Sequence, residues 1–245
     1  MIHSGHFVAI FGSGVAGSEA AYQLARRGIY SVIFEQNVLP YGKIEEGLPK
    51  WHNKLRDKEE EKIDQRLSDP HIYFAPKVKL GLDYHLQDVL EWGFSAVLLA
   101  VGAWKDRSLP IQGIDDYIGR GLYYQNSFVS WFNHTHEPGY AGPKLEIRDG
   151  AIVIGGGLAS LDVMKILMLE TTLKALHEKG HQTDLFTLER EGIAAVLKGL
   201  GLTLSNLGLK GSTLYYSRKI EDMKLAPMPP DAAPERSEKV HRLRD

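Results

Sequence analysis

Two glycine clusters stand in this chain at the ends of short apolar runs. Gly12, Gly14 and Gly17 follow Phe7-Val-Ala-Ile-Phe11. Gly155 and Gly157, with Ser160 in third place, follow Ala151-Ile-Val-Ile154. Glycines at this spacing let a strand turn tightly, let the backbone approach a pyrophosphate, and let the next helix sit close on the strand. The helix N-terminus then offers unpaired N–H groups and a partial positive charge to an anion. Glu35 lies 23 residues after Gly12, where a carboxylate accepts hydrogen bonds from ribose hydroxyls. The pattern is the dinucleotide-binding fingerprint, and it occurs twice. Two nucleotides on one chain point to a flavin exchanging electrons with a nicotinamide.

The two copies differ in the nucleotide they suit. Glu35 disfavours a 2′-phosphate at the first site, so FAD or NAD fits there better than NADP. No carboxylate ends the strand expected at Thr213–Tyr216; Arg218 and Lys219 follow instead. Cations there suit an adenosine 2′-phosphate, hence NADP(H), with NAD(H) a possibility. The plainer alternative is that they begin a solvated helix. Ser160 in place of the third glycine is still small enough for close packing.

The elements that must position these residues follow from periodicity. Phe7–Phe11 reads as a buried parallel strand, Ser18–Arg27 as a helix closed by Gly28, and Ser31–Phe34 as the second strand. Together they make a βαβ unit of about 30 residues. Pro40-Tyr-Gly42-Lys43 is a turn. Lys54–Arg66 reads as a charged helix with a solvated face. Strands are expected at Ile72–Phe74, Lys77–Leu80 and Ala96–Val101, the last ending at Gly102. Asn133–Pro143 reads as a hinge or surface loop, and Leu161–Leu176 as the helix of the second unit. Gly192–Gly211 gives no clear period, and the stretch from Ala226 onward, rich in proline and charge, reads as a flexible end.

The chain has 245 residues, is 43% hydrophobic and 24% charged, and carries a formal net charge of −2. These are ordinary values for a globular protein and give no pull toward nucleic acid. No apolar run approaches the roughly 20 residues that span a bilayer, and no signal peptide is evident, so a cytoplasmic protein is expected. Cysteine is absent, which excludes disulfides, a redox dithiol and a thiolate-bound iron–sulfur cluster within this chain. His134-Thr-His136 lacks a third ligand, so no metal site is expected. No Gly-x-Ser-x-Gly elbow supports a hydrolase.

Further segments extend the pattern. Pro40-Tyr41-Gly42 precedes Gly47-Leu-Pro-Lys-Trp-His52. Leu99-Ala-Val-Gly102-Ala precedes Leu109-Pro-Ile-Gln-Gly113. Ser127-Phe-Val-Ser-Trp131-Phe-Asn133 comes next, and Gly155-x-Gly157 leads to Leu161-Asp162. In this order the motifs resemble the FAD- and NADP-binding flavoproteins that include adrenodoxin reductase, bacterial ferredoxin–NADP reductases and the small subunit of glutamate synthase. The resemblance implies an α/β fold of two Rossmann-like domains, an FAD domain over 1–108 and an NAD(P) domain over 109–245. It also implies a partner, either a ferredoxin-like iron–sulfur protein or a cluster-bearing subunit. Carried over by position, His52 and Asp162 are candidate catalytic residues near the flavin–nicotinamide junction. The candidate cofactor-binding set is Gly12, Gly14, Gly17, Glu35, Gly42, Val78, Gly102, Gly155, Gly157, Arg218 and Lys219. Leu158 stands where the family usually has Asn. The family's chain returns after the NADP domain to complete the FAD domain; this sequence reaches Asp245 first, so an incomplete FAD domain is expected. Three functions are in play: an oxidoreductase passing electrons between NADPH and an iron–sulfur acceptor, the electron-entry subunit of a larger complex, and a non-catalytic nucleotide-binding scaffold.

Overall fold

The computed structural model describes residues 6–223. They divide into two compact units, one through Pro110 and one from Ile111. The elements run β1 (Phe7–Phe11), α1 (Val15–Ala25), β2 (Tyr30–Glu35), α2 (Lys43–Glu46), α3 (Asn53–Leu67), β3 (Ile72–Pro76), α4 (Leu86–Glu91) and β4 (Ala96–Leu99) in the first unit. The second holds α5 (Gln125–Thr135), β5 (Ile152–Ile154), α6 (Leu158–Glu178), α7 (Leu185–Glu191), α8 (Ile193–Gly199) and β6 (Thr213–Tyr215).

The first unit is a four-stranded parallel sheet in the order β3-β2-β1-β4. Its central strand is apolar throughout because both faces are covered. Val8 and Ile10 pack with Ala21 and Ala25 of α1 and with Ile33 and Ile72. Ala9 and Phe11 face the other way, against Phe34 and Val89 of α4. In the second unit β5 and β6 pair in parallel. The long gap between them is filled by α6, α7, α8 and a 3₁₀ turn at Ser205–Leu207. Ile166, Leu169 and Leu176 of α6 are buried, as are Leu188 of α7 and Leu197 of α8.

Several boundaries differ from the sequence expectation. The first helix begins at Val15, three residues before Ser18, because Gly14 itself serves as its N-cap. No strand forms over Lys77–Leu80: Lys77 takes a φ of 60° and breaks the extended run. The expected loop at Asn133–Pro143 starts only after Thr135, since Phe128, Val129, Trp131, Phe132 and Asn133 are buried along α5. Helix α6 starts at Leu158, next to the glycines, rather than at Leu161. The charged helix α3 buries Ile63 completely and so is more than a solvated face. The stretch from Ala226 onward lies outside the described residues.

Candidate functional site

The first glycine loop is shaped by contacts that no other residue type permits. Gly12 has a φ of +95°, and a Cβ added there would lie 2.8 Å from the Ala100 carbonyl carbon. A Cβ at Gly17 would lie 2.9 Å from the Gly12 carbonyl carbon. Both glycines are therefore consumed by the approach of α1 and β4 to the loop. Gly14 is different: its added Cβ would find only the Tyr41 carbonyl oxygen, 4.0 Å away. No side chain caps α1. The loop thus keeps an open face beside a helix N-terminus of 11 residues, which is the arrangement that receives a phosphate.

Glu35 is 4% exposed at the end of β2. Its Oε2 accepts the Ser13 N–H at 3.0 Å and lies 2.7 Å from the Ser13 hydroxyl. Its Oε1 accepts the Asn37 N–H at 2.9 Å. A carboxylate has about four acceptor positions, so these three protein contacts leave one for a further donor. Ser13 also stands 2.9 Å from the Pro40 carbonyl oxygen, tying the Pro40-Tyr41-Gly42 turn to the fingerprint loop. Gly42 turns with a φ of 54°, and a Cβ on it would lie 3.9 Å from Gly14 Cα. The Tyr41 hydroxyl donates to the Asp64 carboxylate at 3.1 Å. Burial and that carboxylate hold the tyrosine above the usual phenol pKa. Arg66 pairs with Glu19 of α1 at 2.5 Å and reaches the Ser18 hydroxyl at 3.4 Å. Helix α3 therefore braces both the turn and the start of α1.

The structure brings Gly12, Gly14, Gly17, Glu35 and Gly42 together. Val78 joins them through its backbone, its N–H donating to the Glu35 carbonyl oxygen at 2.8 Å. Gly102 is exposed, with a φ of 70°, and a Cβ on it would lie 3.7 Å from the Trp104 indole nitrogen. Lys43, next to Gly42, lies over that indole ring. His52 closes a short 3₁₀ turn, Lys50–His52, and is the N-cap of α3, its ring 6.0 Å from that of Trp51.

In the second unit Gly155 and Gly157 connect β5 to α6. Ser160 does more than pack: its hydroxyl lies 3.0 Å from the Gly157 N–H and 2.7 Å from the Gly157 carbonyl oxygen, capping the helix internally. Leu158 is 56% exposed at the start of α6, and Asp162 is half-buried one turn on. Arg218 and Lys219 are exposed just beyond β6. His134 and His136 each face a carboxylate, Glu137 at 3.1 Å and Glu170 at 2.8 Å.

Sequence reasoning passed over Ser13, Asp64, Arg66 and Trp104. Ser13 was visible as the middle residue of Gly12-Ser-Gly14. Asp64 and Arg66 carry no local signal, because they meet Tyr41 and the start of α1 only through tertiary packing, and Trp104 is marked out only by Lys43 lying over its ring.

None of the described helices is long and apolar enough to cross a membrane. The chain is 31% identical over 169 residues to the mitochondrial NADPH:adrenodoxin oxidoreductase of Arabidopsis thaliana, covering 67% of this chain and 34% of that protein. It is 32% identical over 171 residues to the small chain of glutamate synthase [NADPH] of Mycobacterium tuberculosis, covering 66% and 33%. Among solved structures, Mycobacterium tuberculosis FprA in complex with NADPH matches with a TM-score of 0.60 at 27% identity, covering 70% of this chain and 38% of that one. The matched region thus spans about a third of the length of these curated relatives. The profile of one family matches residues 6–181, the stretch that contains both glycine loops, and the chain belongs to that family, the pyridine nucleotide-disulphide oxidoreductases.

Proposed function

We propose that the chain is a flavoprotein oxidoreductase that passes electrons between NADPH and an iron–sulfur, ferredoxin-like acceptor through bound FAD. One observation carries this reading: a glycine-clasped loop opens at Gly14 beside an uncapped helix N-terminus, and a second strand–glycine–helix unit follows in the same chain. The residues fit the two groups. In the unit ending at Pro110, Gly14 and the first turn of α1 receive the FAD pyrophosphate. Glu35 orients its ribose, and Gly42, Val78 and Gly102 line its approach. In the unit from Ile111, Gly155 and Gly157 receive the second pyrophosphate, and Arg218 and Lys219 hold the 2′-phosphate of NADPH. We assign proton handling to His52 in the first unit and to Asp162 in the second. When bound, the flavin supplies hydride acceptance and electron release, while the protein supplies orientation and electrostatics.

The likeness to the glutamate synthase small chain favours one second reading, an electron-entry subunit whose partner carries the clusters. The cysteine-free composition fits a cluster held elsewhere. The test is optical. The purified chain is supplied with FAD, freed of excess, and titrated anaerobically with NADPH. Flavin bands that persist after gel filtration and bleach on titration support both sites and hydride transfer. A colourless chain defeats the flavin assignment, and bands that NADPH leaves unchanged defeat the NADPH assignment. Co-purification with a cluster-bearing protein then separates the subunit from the free reductase.

A further inference from the structure

Strand register makes the two nucleotide loops comparable residue by residue. Phe11 pairs with Phe34, and Gly12 follows Phe11. Ile154 pairs with Tyr215, and Gly155 follows Ile154. Tyr216 is therefore the counterpart of Glu35, and Gly156 the counterpart of Ser13. In the first unit, Ser13 donates to the ribose-reading carboxylate. In the second unit, both members of the pair have changed. Position 156 has no side chain, and the Tyr216 ring lies in the space one would occupy. A Cβ added at Gly156 would lie 2.6 Å from Tyr216 Cγ and closer still to the ring edge. The ring is held at two further points. Its hydroxyl donates to the Asp222 carbonyl oxygen at 3.2 Å. The Arg218 guanidinium lies over it, 5.4 Å from the centroid.

We propose that Tyr216, seated on Gly156 and carrying Arg218 over its ring, is the residue that sets nucleotide choice at the second loop, favouring a 2′-phosphorylated adenosine over one with a free ribose diol. A phenol offers no charged acceptor for a ribose hydroxyl, as a carboxylate does. It offers instead a flat surface that pre-orients a guanidinium through cation–π attraction, and a guanidinium matches a phosphate in bidentate geometry. Tyr216 is thus a positioning residue acting through Arg218, and Gly156 is the vacancy that lets it lie flat. This inference rests on the assignment of the second loop to NADP(H).

Calorimetric titration of the full chain with 2′,5′-ADP and with 5′-ADP tests it, without any need for turnover. The wild-type chain is expected to prefer 2′,5′-ADP. Tyr216→Ala is expected to weaken 2′,5′-ADP by about tenfold, with 5′-ADP changed by less than about twofold. Gly156→Ala, which displaces the ring while keeping Arg218, should do the same. Tyr216→Phe keeps the ring and should keep the preference. Circular dichroism establishes that each variant is folded, and a folded Gly156→Ala decides the matter if Tyr216→Ala does not fold. A wild-type ratio of the two affinities in the folded variants overturns the role of Tyr216 alone. A wild-type chain that binds neither nucleotide overturns the NADP(H) assignment, and this inference with it.

Discussion

Gly12, Gly14 and Gly17 look equivalent in the fingerprint but are unequal in the structure, so alanine at each position separates folding from binding. An added Cβ meets backbone at 2.8 Å at Gly12 and 2.9 Å at Gly17, distances at which something must shift. At Gly17 the obstacle is the Gly12 carbonyl, which cannot move aside, so α1 must lift from β1 and loosen the Val8, Ile10, Ala21 and Ala25 cluster. Overpacking of this kind costs about 1–3 kcal/mol. Gly12→Ala adds about 1–2 kcal/mol for a side chain at a φ of +95°. Gly14 has a φ of −55°, open to any residue, and 4.0 Å of clearance. Its replacement costs at most about 1 kcal/mol of N-cap preference. For a chain of this size each kcal/mol lowers Tm by about 2–4 °C. Gly17→Ala is thus expected to melt about 2–12 °C early, Gly12→Ala about 4–20 °C early, and Gly14→Ala within about 4 °C of the parent. Binding should rank the other way. On the proposed assignment, a methyl at Gly14 would stand where the FAD pyrophosphate approaches and remove on the order of 3 kcal/mol of charge-assisted hydrogen bonding, about 100-fold in Kd for FAD. Gly14→Val should abolish binding. Thermal melts by circular dichroism and FAD titration by quenching of flavin fluorescence read the two rankings. If Gly14→Ala destabilises as much as Gly17→Ala, the steric reasoning fails. If it is stable and binds FAD as the parent does, the loop is not the pyrophosphate site.

Arg218→Ala is expected to raise KM for NADPH by about tenfold, on the order of 1.4 kcal/mol of lost phosphate binding, with little change for NADH. An unaltered preference between the two nucleotides in steady-state assays would remove Arg218 from the site. A third expectation concerns acid. The Lys210 N–H, then the Gly211 N–H, each donating at 2.8 Å, hold the Asp149 carboxyl below the usual aspartate range. A carboxyl whose native pKa lies below its unfolded value adds stability that is complete above about pH 5 and is lost as pH falls through the native value. Asp149→Asn should therefore flatten the acid side of the Tm–pH curve, and an equally steep curve would place the acid sensitivity elsewhere.

The βαβ unit was legible because its signals are local. A continuous apolar run such as Phe7–Phe11 is what a strand covered on both faces requires, and glycine spacing is dictated by steric limits within a few residues. The same locality explains the misjudged boundaries. The backbone turn at Lys77 ends β3, so 77–80 form no strand, although the residues themselves have strand character. The stretch Ser127-Phe-Val-Ser-Trp131-Phe-Asn133 resembles a family motif, yet Phe128, Val129, Trp131 and Phe132 within it are equally the buried face of α5. The candidate site divides in the same manner. The sequence by itself determined which residues form the two loops and that Glu35 ends the first unit's second strand, because covalent spacing and backbone sterics leave little choice. Only the tertiary structure decided which glycine remains open to a ligand, that Asp64 and Arg66 of a charged helix brace the first loop, and that Tyr216 lies on Gly156. Those relations depend on contacts between residues far apart in the chain, and such contacts exist only once parallel register and packing have brought the segments together.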